Sequence, residues 1–117
     1  MTTRVLVVDD DTDLAESLAE VLSSNSCDVT IAAHGQEALE RACARDFDII
    51  FMDVRMPVMN GVDSCLAIKQ IKPQARIVMM TGFKEPILAK ATAVGAEGPL
   101  HKPFSPEDML HVVESVR

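Results

Sequence analysis

Short runs of apolar residues alternate along the chain with stretches of helical periodicity, and this alternation constrains the fold more than any other feature. Most of the runs contain no polar residue, which is typical of strands covered on both faces, as in a parallel sheet. They predict five strands, at Val5–Val8, Val29–Ala33, Ile49–Met52, Ile77–Met80 and, as the weakest candidate, Pro99–Lys102.

Amphipathic stretches lie between and after the predicted strands. In the first of them, Leu14, Leu18 and Leu22 recur at the spacing of one helix face. The later stretches predict helices at Ala38–Ala42, Val62–Lys69, Ile87–Val94 and Leu110–Val116, the last preceded by Ser105 as a cap and Pro106 in the first turn. Strand and helix alternate five times without a linker, so we expect one α/β domain at residues 1–117 with helices on both faces of the sheet.

Charge and length exclude several classes of function. The 117 residues suffice for one domain, and 11 Lys and Arg against 18 Asp and Glu give a net charge of −7. Such a surface repels nucleic acids and anionic membranes, and no apolar stretch approaches the roughly 20 residues of a membrane helix. The first residues lack the layout of a secretory signal, and the three cysteines lack C-x-x-C spacing. We therefore expect a cytoplasmic domain that binds neither nucleic acid nor membrane.

Polar side chains end four of the predicted strands: Asp9 and Asp10, Asp53, Thr81, and Lys102. The carboxyl ends of parallel strands meet at one edge of the sheet, where ligands bind in such folds. Clustered carboxylates suit Mg²⁺, while a lysine and a hydroxyl suit the oxygens of a phosphoryl group. The sequence therefore predicts a Mg²⁺-dependent phosphoryl-transfer site, in which an aspartate is able to serve as the acceptor.

Four segments at these strand ends resemble the receiver domain of two-component response regulators. They are Val7-Val8-Asp9-Asp10, Met52-Asp53-Val54-Arg55-Met56-Pro57 with Gly61, Met80-Thr81-Gly82 and Lys102-Pro103-Phe104. The resemblance covers the whole chain in order. It implies a flavodoxin-like (βα)5 doubly wound sandwich with a five-stranded parallel sheet of order 2-1-3-4-5.

The resemblance also implies roles for the strand-end residues. Asp53 would accept a phosphoryl group from the phosphohistidine of a sensor histidine kinase or phosphotransfer protein, Lys102 would pair with that group, and Thr81 would donate a hydrogen bond to it. The domain would signal to an effector domain or downstream protein. The resemblance is also compatible with a homodimer, which the sequence does not establish. Its only catalysis would be its own phosphorylation and dephosphorylation.

The resemblance implies Mg²⁺ as the cofactor. Its protein ligands would be the side chains of Asp10 and Asp53, Asp9 through water, and the backbone carbonyl of Arg55. The Lys102–Pro103 peptide bond would be cis, as in the family.

One position departs from the family pattern. Pro99 stands three residues before Lys102, where the family usually has Tyr or Phe. Proline has neither an aromatic side chain that could change its rotamer nor a backbone N–H donor. We therefore predict phosphorylation without the family's coupling of threonine to an aromatic side chain, and an edge position for the fifth strand.

Two other interpretations stay open on the sequence. Asp9-x-Asp11 also resembles the opening of a haloacid-dehalogenase-like phosphatase that would use Asp9, although Asp13 stands where that family usually has Thr or Val. The chain is also compatible with a receiver-like docking module that phosphorylation does not switch, an interpretation that Pro99 favours.

Overall fold

Strands and helices alternate along the chain in the computed structural model, which describes residues 2–56, 59–82, 88–102 and 104–116. The elements are β1 (Thr3–Val8), α1 (Thr12–Ser23), β2 (Cys27–Ala32), α2 (Gly35–Ala44), β3 (Ile49–Asp53), α3 (Gly61–Ile71), β4 (Ile77–Thr81), α4 (Leu88–Ala93), β5 (Glu97–His101) and α5 (Pro106–Glu114). All five predicted strand–helix repeats are therefore present. None of the described helices combines the length and the apolar character that crossing a bilayer requires.

The five strands form one parallel sheet of order β2-β1-β3-β4-β5, which confirms the expected topology. The order reverses at β1, which lies between β2 and β3 and pairs Val5 with both Val29 and Ile49. β5 is an edge strand, as predicted, and its exposed Pro99 follows a cis peptide bond from Gly98. The missing backbone donor of Pro99 is tolerated there because an edge strand has a neighbour on one side only.

Successive residues of the central strands point to opposite faces of the sheet and build two separate cores. On one face, strand residues such as Leu6, Ile50 and Met52 form a buried cluster with side chains of α2, α3 and α4. On the other face, residues such as Val7 and Phe51 form a buried cluster with side chains of α1 and α5. Burial on both faces is the physical reason for the uninterrupted apolar runs in the sequence.

Side-chain caps begin the first and last helices as the sequence indicates. Asp11 caps α1 by accepting a hydrogen bond from the backbone N–H of Leu14. Ser105 and Asp108 form a reciprocal capping box at the start of α5. Gly95, with φ of 97°, follows α4 and provides the left-handed conformation that ends it.

The weakest predicted boundaries were shifted by a few residues. β2 begins at Cys27 rather than Val29, and β5 spans Glu97–His101 rather than Pro99–Lys102. Most residues of β5 are exposed, so apolar patterning is a poor guide to its limits. The predicted start of the fourth helix at Ile87 lies outside the described residues.

Candidate functional site

Three aspartates meet at the carboxyl edge of the sheet, as the sequence predicts. Asp9 follows β1, and Asp53 is the last residue of the neighbouring strand β3, since Val8 pairs with Met52 in the register. Asp10 is the next residue after Asp9. One carboxylate oxygen from each of Asp9, Asp10 and Asp53 lies within 4.8 Å of the others. Asp9 and Asp53 are buried, whereas Asp10 is exposed, so the cluster opens to solvent on one side.

Lys102 provides the positive charge of this cluster. Its Nζ donates a hydrogen bond to Asp9 Oδ2 at 2.8 Å and lies 3.5 Å from Asp53 Oδ1. The other oxygen of Asp9 accepts a hydrogen bond from the backbone N–H of Asp11 at 3.0 Å. Both oxygens of the fully buried Asp9 are thus bonded, and this carboxylate holds the lysine beside Asp53.

The electrostatic environment shifts the pKa of Asp53 upward. Burial, followed by repulsion from the carboxylate of Asp9, raises the pKa of Asp53 to about 6, and Lys102 opposes the shift only in part. Burial also disfavours the charge of Lys102, but its hydrogen bond to Asp9 and its attraction to Asp53 outweigh that effect and raise the pKa of Lys102. Lys102 therefore stays charged, while the ionisation of Asp53 is unfavourable in this environment.

Thr81 lies at the same edge as the cluster. It is the last residue of β4, is buried, and directly follows Met80, which pairs with Asp53 in the sheet. Its carbonyl oxygen accepts a hydrogen bond from the backbone N–H of Lys102 at 2.7 Å. The structure thus places Thr81 at the same edge of the sheet as Asp9, Asp53 and Lys102.

Arg55 lies two residues beyond the phosphoacceptor candidate Asp53, at an exposed position after β3. The role of its carbonyl as a metal ligand stays a prediction. The expected cis bond before Pro103 lies outside the described residues.

The donor set fits a small divalent cation. The three clustered groups offer only carboxylate oxygens, which are the hard ligands that Mg²⁺ prefers. Among the residues that the structure describes, the ammonium group of Lys102 contacts Asp9 and Asp53, and its single charge is smaller than the summed charge of the three ionised carboxylates. A divalent cation would neutralise this excess, and the open side next to Asp10 leaves room for its water ligands.

Sequence reasoning missed the partnership between Asp9 and Lys102, which are 93 residues apart. It also assigned no role to Gly35 and Ser64. Ser64 is fully buried and donates a hydrogen bond to the carbonyl oxygen of Gly35 at 2.8 Å, and Gly35 lies against Met59 near the end of the loop that follows Asp53. A signal was present in the sequence, since a serine inside the apolar face of a helix requires a buried partner.

A doubly wound sheet with clustered aspartates and Lys102 at its carboxyl edge is the arrangement expected of a signalling domain that carries a phosphoryl group on aspartate. The family model of the response regulator receiver domain matches residues 5–114, and the chain belongs to this family. It is a domain of two-component signal transduction, and the relatives that it matches are signalling proteins rather than classical enzymes. These matches do not favour the phosphatase interpretation or the unswitched docking module.

Curated relatives include whole proteins of similar length and longer regulators. The chain is 31% identical over 115 residues to the chemotaxis protein CheY of Thermotoga maritima, with 97% of this chain and 96% of that protein covered. It is 36% identical over 116 residues to the transcriptional regulatory protein LnrK of Bacillus subtilis, with 97% of this chain but only 53% of that protein covered. The chain therefore spans about half the length of relatives such as LnrK.

Solved structures agree with the fold. The chemotaxis protein CheY4 of Vibrio cholerae has a TM-score of 0.90 at 35% identity, with 100% of each chain covered. A complex of CheX, CheY, BeF3 and Mg²⁺ from Borrelia burgdorferi matches with a TM-score of 0.88 at 28% identity, covering 97% of this chain and 88% of that chain.

Proposed function

We propose that Asp53 is the phosphoacceptor of this receiver domain and that the donor is the phosphohistidine of a sensor histidine kinase or phosphotransfer protein. The observation that carries the proposal is the position of the Asp53 carboxylate at the carboxyl edge of the sheet, within 4.8 Å of carboxylate oxygens of Asp9 and Asp10 and 3.5 Å from the ammonium of Lys102. Membership of the receiver family supplies the reaction class.

The transfer is a substitution at phosphorus. A carboxylate oxygen of Asp53 forms a bond to the phosphorus atom while the P–N bond to the donor histidine breaks, and the imidazole nitrogen leaves with the bonding electron pair. The nucleophile is the ionised form of Asp53. With a pKa of about 6, roughly nine-tenths of Asp53 is ionised at pH 7.

We assign the Mg²⁺ site to the side chains of Asp10 and Asp53, to Asp9 acting through a water molecule, and to the backbone carbonyl of Arg55. The clustered carboxylate oxygens of the three aspartates support this assignment. When bound, Mg²⁺ would supply positive charge that offsets the negative charge of the carboxylates and of the incoming phosphoryl group.

Lys102 and Thr81 complete the proposed catalytic set with Asp53. Lys102 already contacts Asp53 and stays charged, so it is placed to pair with a phosphoryl oxygen on that residue. Thr81 ends the adjacent strand and offers its hydroxyl to a second phosphoryl oxygen. The phosphoryl group adds about −1.5 to −2 charge, which these two groups and the metal would share.

We assign the whole chain, residues 1–117, to one receiver domain. The two cores that share a single sheet support this assignment. The output would reach an effector domain or a downstream protein, as the names of relatives such as LnrK and the CheX–CheY complex suggest for those proteins. Because Pro99 cannot act as a rotating aromatic side chain, changes in packing elsewhere would transmit the signal.

The test is phosphoryl labelling by acetyl phosphate in the presence and absence of Mg²⁺, on the wild type, Asp53→Asn and Asp9→Asn. The expected result is Mg²⁺-dependent labelling of the wild type that Asp53→Asn abolishes. Asp28→Asn, which changes an exposed aspartate of β2, is the matched control and should be labelled normally. Labelling that survives Asp53→Asn and is lost in Asp9→Asn would indicate the phosphatase chemistry instead. A folded wild type that binds Mg²⁺ without being labelled would indicate a docking module.

A further inference from the structure

The connection between β3 and α3 is hydrogen-bonded at both of its ends, directly beside the phosphoacceptor candidate Asp53. The N–H of Val54 donates to the carbonyl oxygen of Met80 at 3.0 Å, and the N–H of Gly61 donates to the carbonyl oxygen of Val54 at 2.9 Å. A Cβ atom on Gly61 would overlap with the carbonyl oxygen of Asp53. The connection therefore folds directly back onto Asp53, and its position determines where the carbonyl of Arg55 lies.

The first residue of α2, Gly35, packs against this connection at Met59. A Cβ atom on Gly35 would overlap with the carbonyl oxygen of Met59 and would lie 3.0 Å from both the carbonyl carbon and the Cβ atom of Met59. Ser64, in the first turns of α3, donates its hydroxyl to the carbonyl oxygen of Gly35 at 2.8 Å. No space remains between the start of α2 and the connection at this point.

The start of α2 is itself held in place by side chains. The Nδ1 atom of His34 accepts a hydrogen bond from the N–H of Glu37 at 3.2 Å. The carboxylate of Glu37 accepts one from the N–H of Ala33 at 2.9 Å. These two bonds join the first turn of α2 to the residues that follow β2. They hold Gly35 in a fixed position against Met59.

We propose that Gly35 and Ser64 are positioning residues for the phosphoryl-transfer site. They hold the start of α2 against the connection after Asp53, and they thereby fix the backbone that supplies the fourth predicted metal ligand, Arg55. Neither residue touches the reacting atoms. The inference rests on the proposed function, because it takes the Mg²⁺ and phosphoryl site of Asp53 as the site being positioned.

Two substitutions test the two halves of this contact. Gly35→Ala adds a methyl group that overlaps with Met59, while alanine is otherwise the better helix former and the backbone at Gly35 has no positive φ. The added methyl group therefore acts on the connection and not on the helix. Ser64→Ala removes only the hydroxyl, and with it the bond that joins α3 to Gly35.

The primary measurement is a Mg²⁺ titration of the full chain followed by ¹H–¹⁵N NMR. We expect Gly35→Ala to weaken Mg²⁺ binding about tenfold, the loss typical of residues that orient metal ligands. Ser64→Ala should weaken it about fivefold, as one lost hydrogen bond predicts. Labelling by acetyl phosphate should slow in both variants at limiting Mg²⁺ and recover at saturating Mg²⁺.

Val113→Ala is the control for a general loss of stability. Val113 is fully buried in α5 on the opposite face of the sheet, so its truncation should lower stability without changing Mg²⁺ affinity. Unchanged Mg²⁺ affinity in both site variants, or an equal loss in Val113→Ala, would overturn the inference. If Gly35→Ala does not fold, Ser64→Ala alone decides. If the wild type neither binds Mg²⁺ nor is labelled by acetyl phosphate, the proposed function is overturned, and this inference with it.

Discussion

Replacing Asp53 by Asn should make the protein more stable at neutral pH when no divalent cation is present. The wild-type carboxylate is only 6% exposed and lies next to two other carboxylates, so its ionisation is unfavourable in the folded state. Asparagine has nearly the same shape and carries no charge. Its carbonyl oxygen is able to accept from Lys102 and its amide group to donate to Asp9, as the protonated form of Asp53 would.

The magnitude of this effect follows from the pKa of Asp53, which is raised from 3.8 to about 6 in the folded chain. Below pH 3.8 the residue is protonated in both states and imposes no penalty. As the pH rises, the unfolded chain releases its proton first, so the stability of the wild type falls until the folded state also ionises near pH 6. The free energy of unfolding of the wild type is thereby lowered by about 3 kcal/mol near neutral pH and by about 1 kcal/mol near pH 4.5.

The assay is urea unfolding followed by circular dichroism in a chelating buffer, at about pH 4.5 and about pH 7.5. The stability gap between Asp53→Asn and the wild type should widen by about 2 kcal/mol from the lower to the higher pH. Asp28→Asn, at an exposed position, should show a gap that varies far less with pH. A gap for Asp53→Asn that stays constant or narrows over this interval would refute the assignment of a raised pKa to this residue.

Three further outcomes follow from the site and the core. In thermal unfolding, Mg²⁺ at about 100 times its dissociation constant should stabilise the wild type by about 2.7 kcal/mol and Asp53→Asn much less. Equal stabilisation of the two proteins would contradict the assignment of Asp53 as a ligand. Lys102→Met should destabilise the chain by about 3 kcal/mol in urea unfolding, because it leaves the buried Asp9 without its cation; an unchanged midpoint would show that this ion pair contributes little. Phe51→Ala should cost about 3–5 kcal/mol, since the ring is fully buried beneath α1 and α5, and a loss below about 1 kcal/mol would contradict that packing.

Burial patterns made most of the fold predictable. Strands such as Ile49–Asp53 are apolar on both faces because helices cover both faces, and this requirement appears directly in the sequence. Caps such as Ser105 could be predicted because the capping side chain binds a backbone N–H only three residues further along the chain. β5 was placed less accurately, because an exposed edge strand needs no apolar pattern.

The candidate site was predictable as a set of residues but not as a geometry. Asp53 ends β3, while Asp9 and Lys102 directly follow β1 and β5. Because parallel strands end at the same edge of the sheet, the meeting of these residues followed from the order of the elements. The bond between Asp9 and Lys102, and the pKa of Asp53 that burial and Asp9 raise, depend on distances of a few ångströms.

Periodicity and strand ends are local properties of the chain, so the elements, a parallel sheet and the edge at which the acids gather could be derived from them, while the strand order was implied by the family resemblance. The charges that touch, and the backbone atoms that pack against Gly35 and Gly61, became known from the three-dimensional arrangement. Those contacts join residues far apart in sequence, and electrostatic and steric energies vary steeply with separations that no local pattern records.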